Sequence, residues 1–189
     1  MTAELVVIGT SMGGLSALEI LCSGLPKDFP LAVAIVQHRH IDSDETLSLL
    51  LQVHCPLPVR EAEDKEPIEG GRIYVAPADY HLLVDRGSFA LSTEPKVCYA
   101  RPSIDVLFET AADAYKEQLI GVILTGASKD GSQGLARVKE RGGLTVVQSP
   151  ATAESAVMPE AALAASQVDR VLPLVEIAAF LDLCCQMRT

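Results

Sequence analysis

Runs of apolar residues alternate along the chain with segments in which apolar and polar positions follow a helical spacing. The strongest apolar runs, rich in Val, Ile and Leu, cover residues 5–8, 31–36, 119–124 and 144–147. Such runs are typical of strands buried on both faces, as in a parallel sheet covered by helices. The alternation of strand and helix predicts βαβ units with right-handed crossovers, and therefore a doubly wound α/β fold.

The segment between about residues 64 and 95 differs from this alternation. Two short strands, at 81–84 and 88–91, are separated by Asp85-Arg86-Gly87, and this spacing indicates a β-hairpin. The predicted fold is thus a mostly parallel sheet with helices on both faces and a small antiparallel hairpin insertion. Because no linker, repeat or low-complexity tract interrupts the chain, residues 1–189 are predicted to form a single domain.

The first apolar run leads directly into Gly9-Thr10-Ser11-Met12-Gly13, which has the pattern G-x-S-x-G at a predicted strand-to-helix turn. Such a turn exposes a serine hydroxyl and directs backbone N–H groups at the helix start toward the same point. An ordinary glycine-rich βα turn is the alternative interpretation, and a phosphate cradle is another. The cradle is disfavoured because the stretch is neither G-x-G-x-x-G nor a Walker loop.

Ligands of doubly wound folds bind beyond the carboxyl ends of the strands, and three chemically capable residues fall there. Ser11, His38 and Asp130 each follow a strongly apolar strand, and together they supply a nucleophile, a base and an orienting carboxylate. Strand alternation alone does not choose between His38 and His40. Asp130 has a second interpretation, as the N-cap of the helix that follows it. The chain order Ser, His, Asp differs from that of α/β-hydrolases.

Composition narrows the possible partners. The 15 basic and 25 acidic residues give a formal net charge of −10, which makes nucleic acid an unfavourable partner. No apolar run reaches the roughly 20 residues that a membrane helix needs, and no leader pattern precedes the first strand, so a cytoplasmic protein is predicted. The five cysteines lack a C-x-x-C pair, which favours buried thiols over a disulfide framework or a zinc site.

Five stretches of the chain carry a resemblance to a known family. They are Ile8-Gly9-Thr10-Ser11-Met12-Gly13-Gly14, Val36-Gln37-His38, Gly71 to Pro77, Arg101 to Phe108, and Leu124-Thr125-Gly126 through Asp130-Gly131 to Leu135. Together they resemble the catalytic domain of the CheB family of chemotaxis protein-glutamate methylesterases. The similarity extends over essentially the whole chain, with the motifs in the family's order.

The resemblance implies hydrolysis of glutamyl methyl esters on the cytoplasmic helices of methyl-accepting chemoreceptors or related signalling proteins, in some members with deamidation of glutamines. The family's serine nucleophile falls on Ser11, its histidine on His38 and not His40, and its aspartate on Asp130. Its oxyanion donors correspond to the backbone at Met12 and Ala127. The resemblance implies no metal and no organic cofactor.

Three departures from the family pattern affect these expectations. Ala127 and Ser128 replace the usual Met and Gly of one active-site loop, so a catalytically degenerate receptor-binding module is kept as an alternative. Arg39-His40 replaces the usual Met-Pro after the histidine. No receiver domain precedes the first strand, and either constitutive activity or control by a separate receiver protein is therefore expected.

Overall fold

A computed structural model describes residues 3–186 of the chain, which contain nine strands. They are β1 (Leu5–Thr10), β2 (Ala32–Gln37), β3 (Val59–Glu61), β4 (Ile73–Val75), β5 (His81–Asp85), β6 (Ser88–Ser92), β7 (Leu119–Ile123), β8 (Leu144–Gln148) and β9 (Arg170–Leu172). Seven of these strands form one sheet in the order β3-β4-β2-β1-β7-β8-β9, and all neighbouring pairs are parallel. The predicted doubly wound α/β fold is confirmed.

The strand order reverses at β1. The chain proceeds from β1 to β2, β4 and β3 on one side, and returns with β7 on the other side of β1. Ligands of open α/β sheets bind at such a switch point, outside the carboxyl ends of the strands. The carboxyl ends of β1, β2 and β7 therefore mark the place where a site is expected.

Six α-helices cover both faces of this sheet in the described part of the chain. They are α1 (Gly14–Ser23), α2 (Thr46–His54), α3 (Ile104–Tyr115), α4 (Ser132–Glu140), α5 (Val157–Ala165) and α6 (Leu174–Gln186). Successive side chains of β1 alternate between the faces: Val6 and Ile8 pack with α1, α2 and α6, whereas Leu5 and Val7 pack with α3, α4 and α5. All six residues of β1 are buried, which explains the apolar run at residues 5–8.

The predicted hairpin is present, but it forms a two-stranded sheet of its own and does not join the parallel sheet. Its apolar residues Leu82, Val84 and Phe89 are buried in the same cluster as Leu107 and Phe108 of α3. The hairpin thus packs against the helix that follows it in sequence. The single domain predicted for residues 1–189 stays a prediction for the full length, since the structure describes residues 3–186.

Candidate active site

The turn after β1 has the predicted form. Gly13 has a φ of 74°, and a Cβ atom at this position would lie 2.6 Å from Oε2 of Glu154. The left-handed conformation and the close approach both require glycine. The Ser11 N–H donates to the carbonyl oxygen of Thr125 at 3.0 Å, and the Ser11 carbonyl accepts from the Gly14 N–H at 2.9 Å. The turn is thereby fixed against the loop that follows β7.

His38 and Asp130 meet at the same edge of the sheet. Nε2 of His38 lies 2.7 Å from Oδ2 of Asp130, whose side chain is fully buried, whereas the His38 side chain keeps 16% of its surface exposed. His40 is 77% exposed and pairs with Asp42 at 3.3 Å. Geometry therefore separates the two histidines that strand alternation left open, because only His38 contacts a buried carboxylate.

The Asp130 carboxylate also receives three hydrogen bonds from the beginning of α3. Oδ1 accepts from the Ser103 hydroxyl at 2.8 Å and from the Asp105 N–H at 3.0 Å, while Oδ2 accepts from the Ile104 N–H at 2.7 Å. Burial raises the pKa of Asp130, but the hydrogen bonds from His38 and from these α3 donors outweigh it and hold the pKa below its ordinary value. We call Ser103, Ile104 and Asp105 the α3 clamp.

The alternative interpretation of Asp130 as a helix cap is partly correct. Asp130 does cap a helix, but the helix is α3 and not α4, the helix that follows it in sequence. Its carboxylate binds the N–H groups at the start of α3, and the residue at the N-cap of α4 is Gly131. The start of α4 is bound in return by α3, since Oδ1 of Asp105 accepts from the Gly134 N–H at 2.7 Å. The two helices thus exchange capping carboxylates, and the exchange fixes the loop that carries Asp130.

The contact through Nε2 determines which nitrogen of His38 is free to act as a base. An ionised carboxylate only accepts hydrogen bonds, so Nε2 carries the proton and Nδ1 keeps its lone pair. Neither Nδ1 of His38 nor the Ser11 hydroxyl has a hydrogen-bond partner among residues 3–186. Gln37 links the two residues through their backbones, because its Nε2 donates to the carbonyls of Ser11 at 2.9 Å and His38 at 2.8 Å.

Two backbone N–H groups near Ser11, those of Met12 and Ala127, make no hydrogen bond within the part of the chain that the structure describes. The Met12 side chain is 55% exposed, and its carbonyl accepts from the Thr125 hydroxyl at 2.9 Å. The neighbouring Gly126 N–H is occupied, since it donates to the Ser155 carbonyl at 3.1 Å. The two unpaired N–H groups are thus available to an oxygen of a bound molecule.

Sequence comparison gives the family of this chain. The family described as CheB methylesterase matches residues 6–181. The chain belongs to the CheB methylesterase family. This confirms the resemblance seen in the sequence, and it places the chain among carboxylic ester hydrolases.

Three relatives show how far the similarity extends. A Leptospira interrogans protein provisionally named protein-glutamate methylesterase/protein-glutamine glutaminase is 49% identical over 179 residues, which are 94% of this chain and 93% of that protein. An Anaeromyxobacter dehalogenans protein-glutamate methylesterase/protein-glutamine glutaminase is 42% identical over 92% of this chain but only 51% of its own length. The crystal structure of the Thermotoga maritima CheB methylesterase catalytic domain matches with a TM-score of 0.91 at 35% identity, over 96% of this chain and 98% of that one.

Two cavities adjoin His38 in this member of the CheB family. One, of about 280 Å³, is lined by His38, Arg101, Pro102 and Ser128 among other residues. The other, of about 340 Å³, extends from His38 toward Leu15 and Leu50. His38 therefore lines both cavities.

One group of side chains, Cys98, Asp105 and Asp130, has the composition of a metal-ligand set, with its ligand atoms within 4.8 Å of one another. The acceptor atoms already receive hydrogen bonds, however, including one from the Cys98 thiol to Oδ2 of Asp105 at 3.8 Å. We therefore interpret the group as part of the support of Asp130. Cys98 is exposed and the other four cysteines are buried, so the expectation of buried thiols is wrong for Cys98.

Sequence reasoning brought together Ser11, His38 and Asp130 but missed the residues that hold them. The α3 clamp lies within one of the stretches that resemble the CheB family, and this was the available signal for its importance. Gln37 likewise lies beside the predicted histidine in such a stretch. Between residues 3 and 186, none of the helices combines the length and the apolar character that a membrane span requires.

Proposed function

We propose that this chain is a serine esterase that hydrolyses glutamyl methyl esters on the cytoplasmic helices of a chemoreceptor or a related signalling protein. The observation that carries the proposal is the 2.7 Å contact between His38 and the buried Asp130, next to the turn that presents Ser11. Family membership supplies the type of ester, because relatives are named protein-glutamate methylesterases. The second activity in those names, removal of the amide group of glutamine, uses the same acyl chemistry.

The first half of the reaction forms an acyl-enzyme. Nδ1 of His38 takes the hydroxyl proton of Ser11 while Oγ attacks the ester carbonyl carbon, and the carbonyl π electrons move onto oxygen. The imidazolium that forms is stabilised by the ionised carboxylate of Asp130 on Nε2. Collapse of the tetrahedral intermediate breaks the bond to the methoxy oxygen, which leaves as methanol with the proton from Nδ1.

The second half of the reaction releases the product by the same groups. Water gives a proton to Nδ1 of His38 and attacks the acyl carbon, and Ser11 Oγ leaves with that proton. The glutamate side chain departs as a carboxylic acid and ionises in solution. All steps use side chains and backbone of the chain itself, and no metal or organic cofactor enters the proposal.

The oxyanion in both halves is assigned to the backbone N–H groups of Met12 and Ala127. They have no other partner among the described residues, and donors aimed at developing negative charge are a large source of catalytic power. The replacement at Ser128 is compatible with this assignment, since its hydroxyl accepts from the Asp130 N–H at 3.1 Å and so helps to fix the loop. A separate receiver protein as regulator stays a prediction.

Labelling with a fluorophosphonate, followed by mass spectrometry of the modified peptide, tests the nucleophile. We expect labelling of Ser11 in the wild-type chain, loss of labelling in Ser11→Ala, and strongly reduced labelling in His38→Ala. Ser16→Ala, which changes an exposed serine of α1, is the matched control and should label as the wild type does.

Labelling, combined with turnover and binding measurements, separates the alternatives. Turnover of methylated receptor fragments that persists in Ser11→Ala would overturn the assignment of the nucleophile. A chain that binds receptor fragments but is neither labelled nor active would be a degenerate receptor-binding module. Binding of a nucleotide in competition with the phosphonate would instead support a phosphate-binding role for the turn.

A further inference from the structure

We propose that His81 is a positioning residue for catalysis, which acts through the α3 clamp on Asp130 and hence on His38. This inference rests on the proposed function, because it concerns the same site. His81 lies at the start of β5 in the hairpin, is only 2% exposed, and has no role in the mechanism above.

Both ring nitrogens of His81 have partners whose chemistry fixes the tautomer. Nδ1 lies 3.2 Å from the backbone nitrogen of Ser103, which can only donate, so Nδ1 must accept. Nε2 lies 3.1 Å from the Pro95 carbonyl oxygen, which can only accept, so Nε2 must donate. His81 is therefore held as the neutral Nε2–H tautomer. It joins the loop before α3 to the first residue of the clamp.

The path from His81 to the catalytic histidine is short and continuous. Ser103 donates its N–H to Nδ1 of His81 and its hydroxyl to Oδ1 of Asp130 at 2.8 Å, and both Ser103 and Asp130 are fully buried. Three of the four hydrogen bonds to the Asp130 carboxylate come from the clamp, and the fourth comes from His38 at 2.7 Å. A displacement of the clamp therefore changes the position of Asp130 relative to His38.

The acceptor at Nδ1 is the part of His81 that this role requires. An asparagine places its amide oxygen near the position of Nδ1 and can still accept from Ser103, whereas a glutamine reaches the position of Nε2 and can only replace the bond to Pro95. Both substitutions remove the ring, and they keep opposite halves of the link. They therefore separate a positioning role from a merely structural one.

The test compares His81→Asn with His81→Gln, using turnover of a methylated receptor fragment and long-range proton–nitrogen NMR of His38. We expect His81→Gln to lower kcat about 10- to 100-fold with KM changed by less than about threefold, because misplacement of a catalytic group by 1 Å costs this much. The Nε2–H signature of His38 should be lost or mixed in this variant. His81→Asn should keep kcat within about threefold and keep the signature. His54→Gln, a change in an exposed histidine, is the control.

A folded His81→Gln variant with wild-type kcat and an unchanged His38 signature would overturn the proposal, as would equal losses of kcat in the two variants. If His81→Gln does not fold, His81→Leu, which keeps neither bond, takes its place: a kcat at least tenfold below that of His81→Asn supports the proposal, and equal kcat values in the two folded variants contradict it. The NMR measurement needs no substrate. An NMR result that contradicts the role of His81 can therefore be distinguished from failure of the esterase proposal, which would appear as turnover by Ser11→Ala.

Discussion

The two ends of the proposed catalytic arrangement are built in opposite ways. At the Asp130 end, a fully buried carboxylate accepts four hydrogen bonds, three from the α3 clamp and one from His38. At the Ser11 end, the hydroxyl and the Met12 N–H have no hydrogen-bond partner among residues 3–186, and the Met12 side chain is largely exposed. The group that must stay in place thus has its hydrogen bonds within the protein, whereas the groups that would meet a substrate keep theirs unused.

This difference agrees with what each end does in the proposed reaction. An orienting carboxylate contributes only if it is ionised and fixed before the substrate arrives, and buried N–H donors achieve both. The nucleophile and the oxyanion donors must exchange water for substrate at each turnover, and permanent bonds within the protein would compete with the substrate. We therefore expect substitutions at the Asp130 end to affect stability and activity together, and substitutions at the Ser11 end to affect activity alone.

The largest effect is expected from Asp130→Asn compared with Ser11→Ala. Both should lower kcat on the order of 10⁴-fold, because one disturbs the tautomer of His38 and the other removes the nucleophile. Asp130→Asn should also lower the free energy of unfolding by about 3 kcal/mol, since an amide NH₂ would face the buried donors of the α3 clamp. Ser11→Ala should change it by less than about 0.5 kcal/mol.

Urea denaturation of the two variants, beside turnover of a methylated receptor fragment, measures both quantities. The comparison fails if Ser11→Ala destabilises the protein as much as Asp130→Asn does. It also fails if Asp130→Asn leaves the stability unchanged, because the clamp would then contribute nothing to folding.

A smaller effect on stability and on kcat is expected from a substitution of Gln37, which links the backbones of Ser11 and His38. Gln37→Met removes the two hydrogen bonds from Nε2 to the carbonyls of Ser11 and His38 while keeping the side-chain length. We expect a loss of about 1 kcal/mol in the free energy of unfolding, and a fall in kcat of about tenfold, because the serine turn and the histidine are then no longer tied together.

Gln52→Met is the matched control for this substitution. Gln52 also binds backbone groups, those of Cys55, Leu57 and Val59, but it lies in the last turn of α2 and binds the segment that leads to β3. A similar loss of stability with unchanged kcat is expected for it, measured by urea denaturation and steady-state kinetics. Equal kcat in the two variants would show that Gln37 is a structural residue only.

The parts of the site that are local in sequence could be predicted from the sequence. An apolar strand, a small-residue turn and a helical spacing within a few residues identified the turn at Ser11, and the rule for strand ends added His38 and Asp130. The position of the hairpin could not be predicted, because it depends on the buried contact with α3 and not on strand pairing. The tautomer of His38 could not be predicted either, because it depends on the approach of Asp130 in space.

The hydrogen bonds between Asp130 and the α3 clamp could not be predicted from the sequence for a different reason. Ser103 and Asp105 have the composition of an ordinary helix start, where each would stabilise its own helix. In the structure Ser103 and the Asp105 N–H bind Asp130, and the Asp105 carboxylate binds the start of α4. Such an exchange depends on the packing of the two helices, which brings Gly134 against Asp105 and Phe108 of α3. No spacing within one segment reveals it.

The smallest effect concerns Asp105, the member of the clamp that carries a charge of its own. Burial, together with the nearby charge of Asp130, raises the pKa of Asp105 to about 6, against the opposing bond from Gly134. Because this folded-state pKa lies above the unfolded value of 3.8, the folded form binds the proton more tightly. The stability that Asp105 contributes through this proton is fully present below the unfolded pKa and is lost as the pH rises through about 6.

The substitution Asp105→Asn keeps an acceptor for the Gly134 N–H and removes the titration. The free energy of unfolding of this variant should therefore rise relative to the wild type by about 1 kcal/mol between pH 5 and pH 8. Urea denaturation of both proteins at the two pH values measures this difference, and a difference that does not change with pH would contradict the prediction.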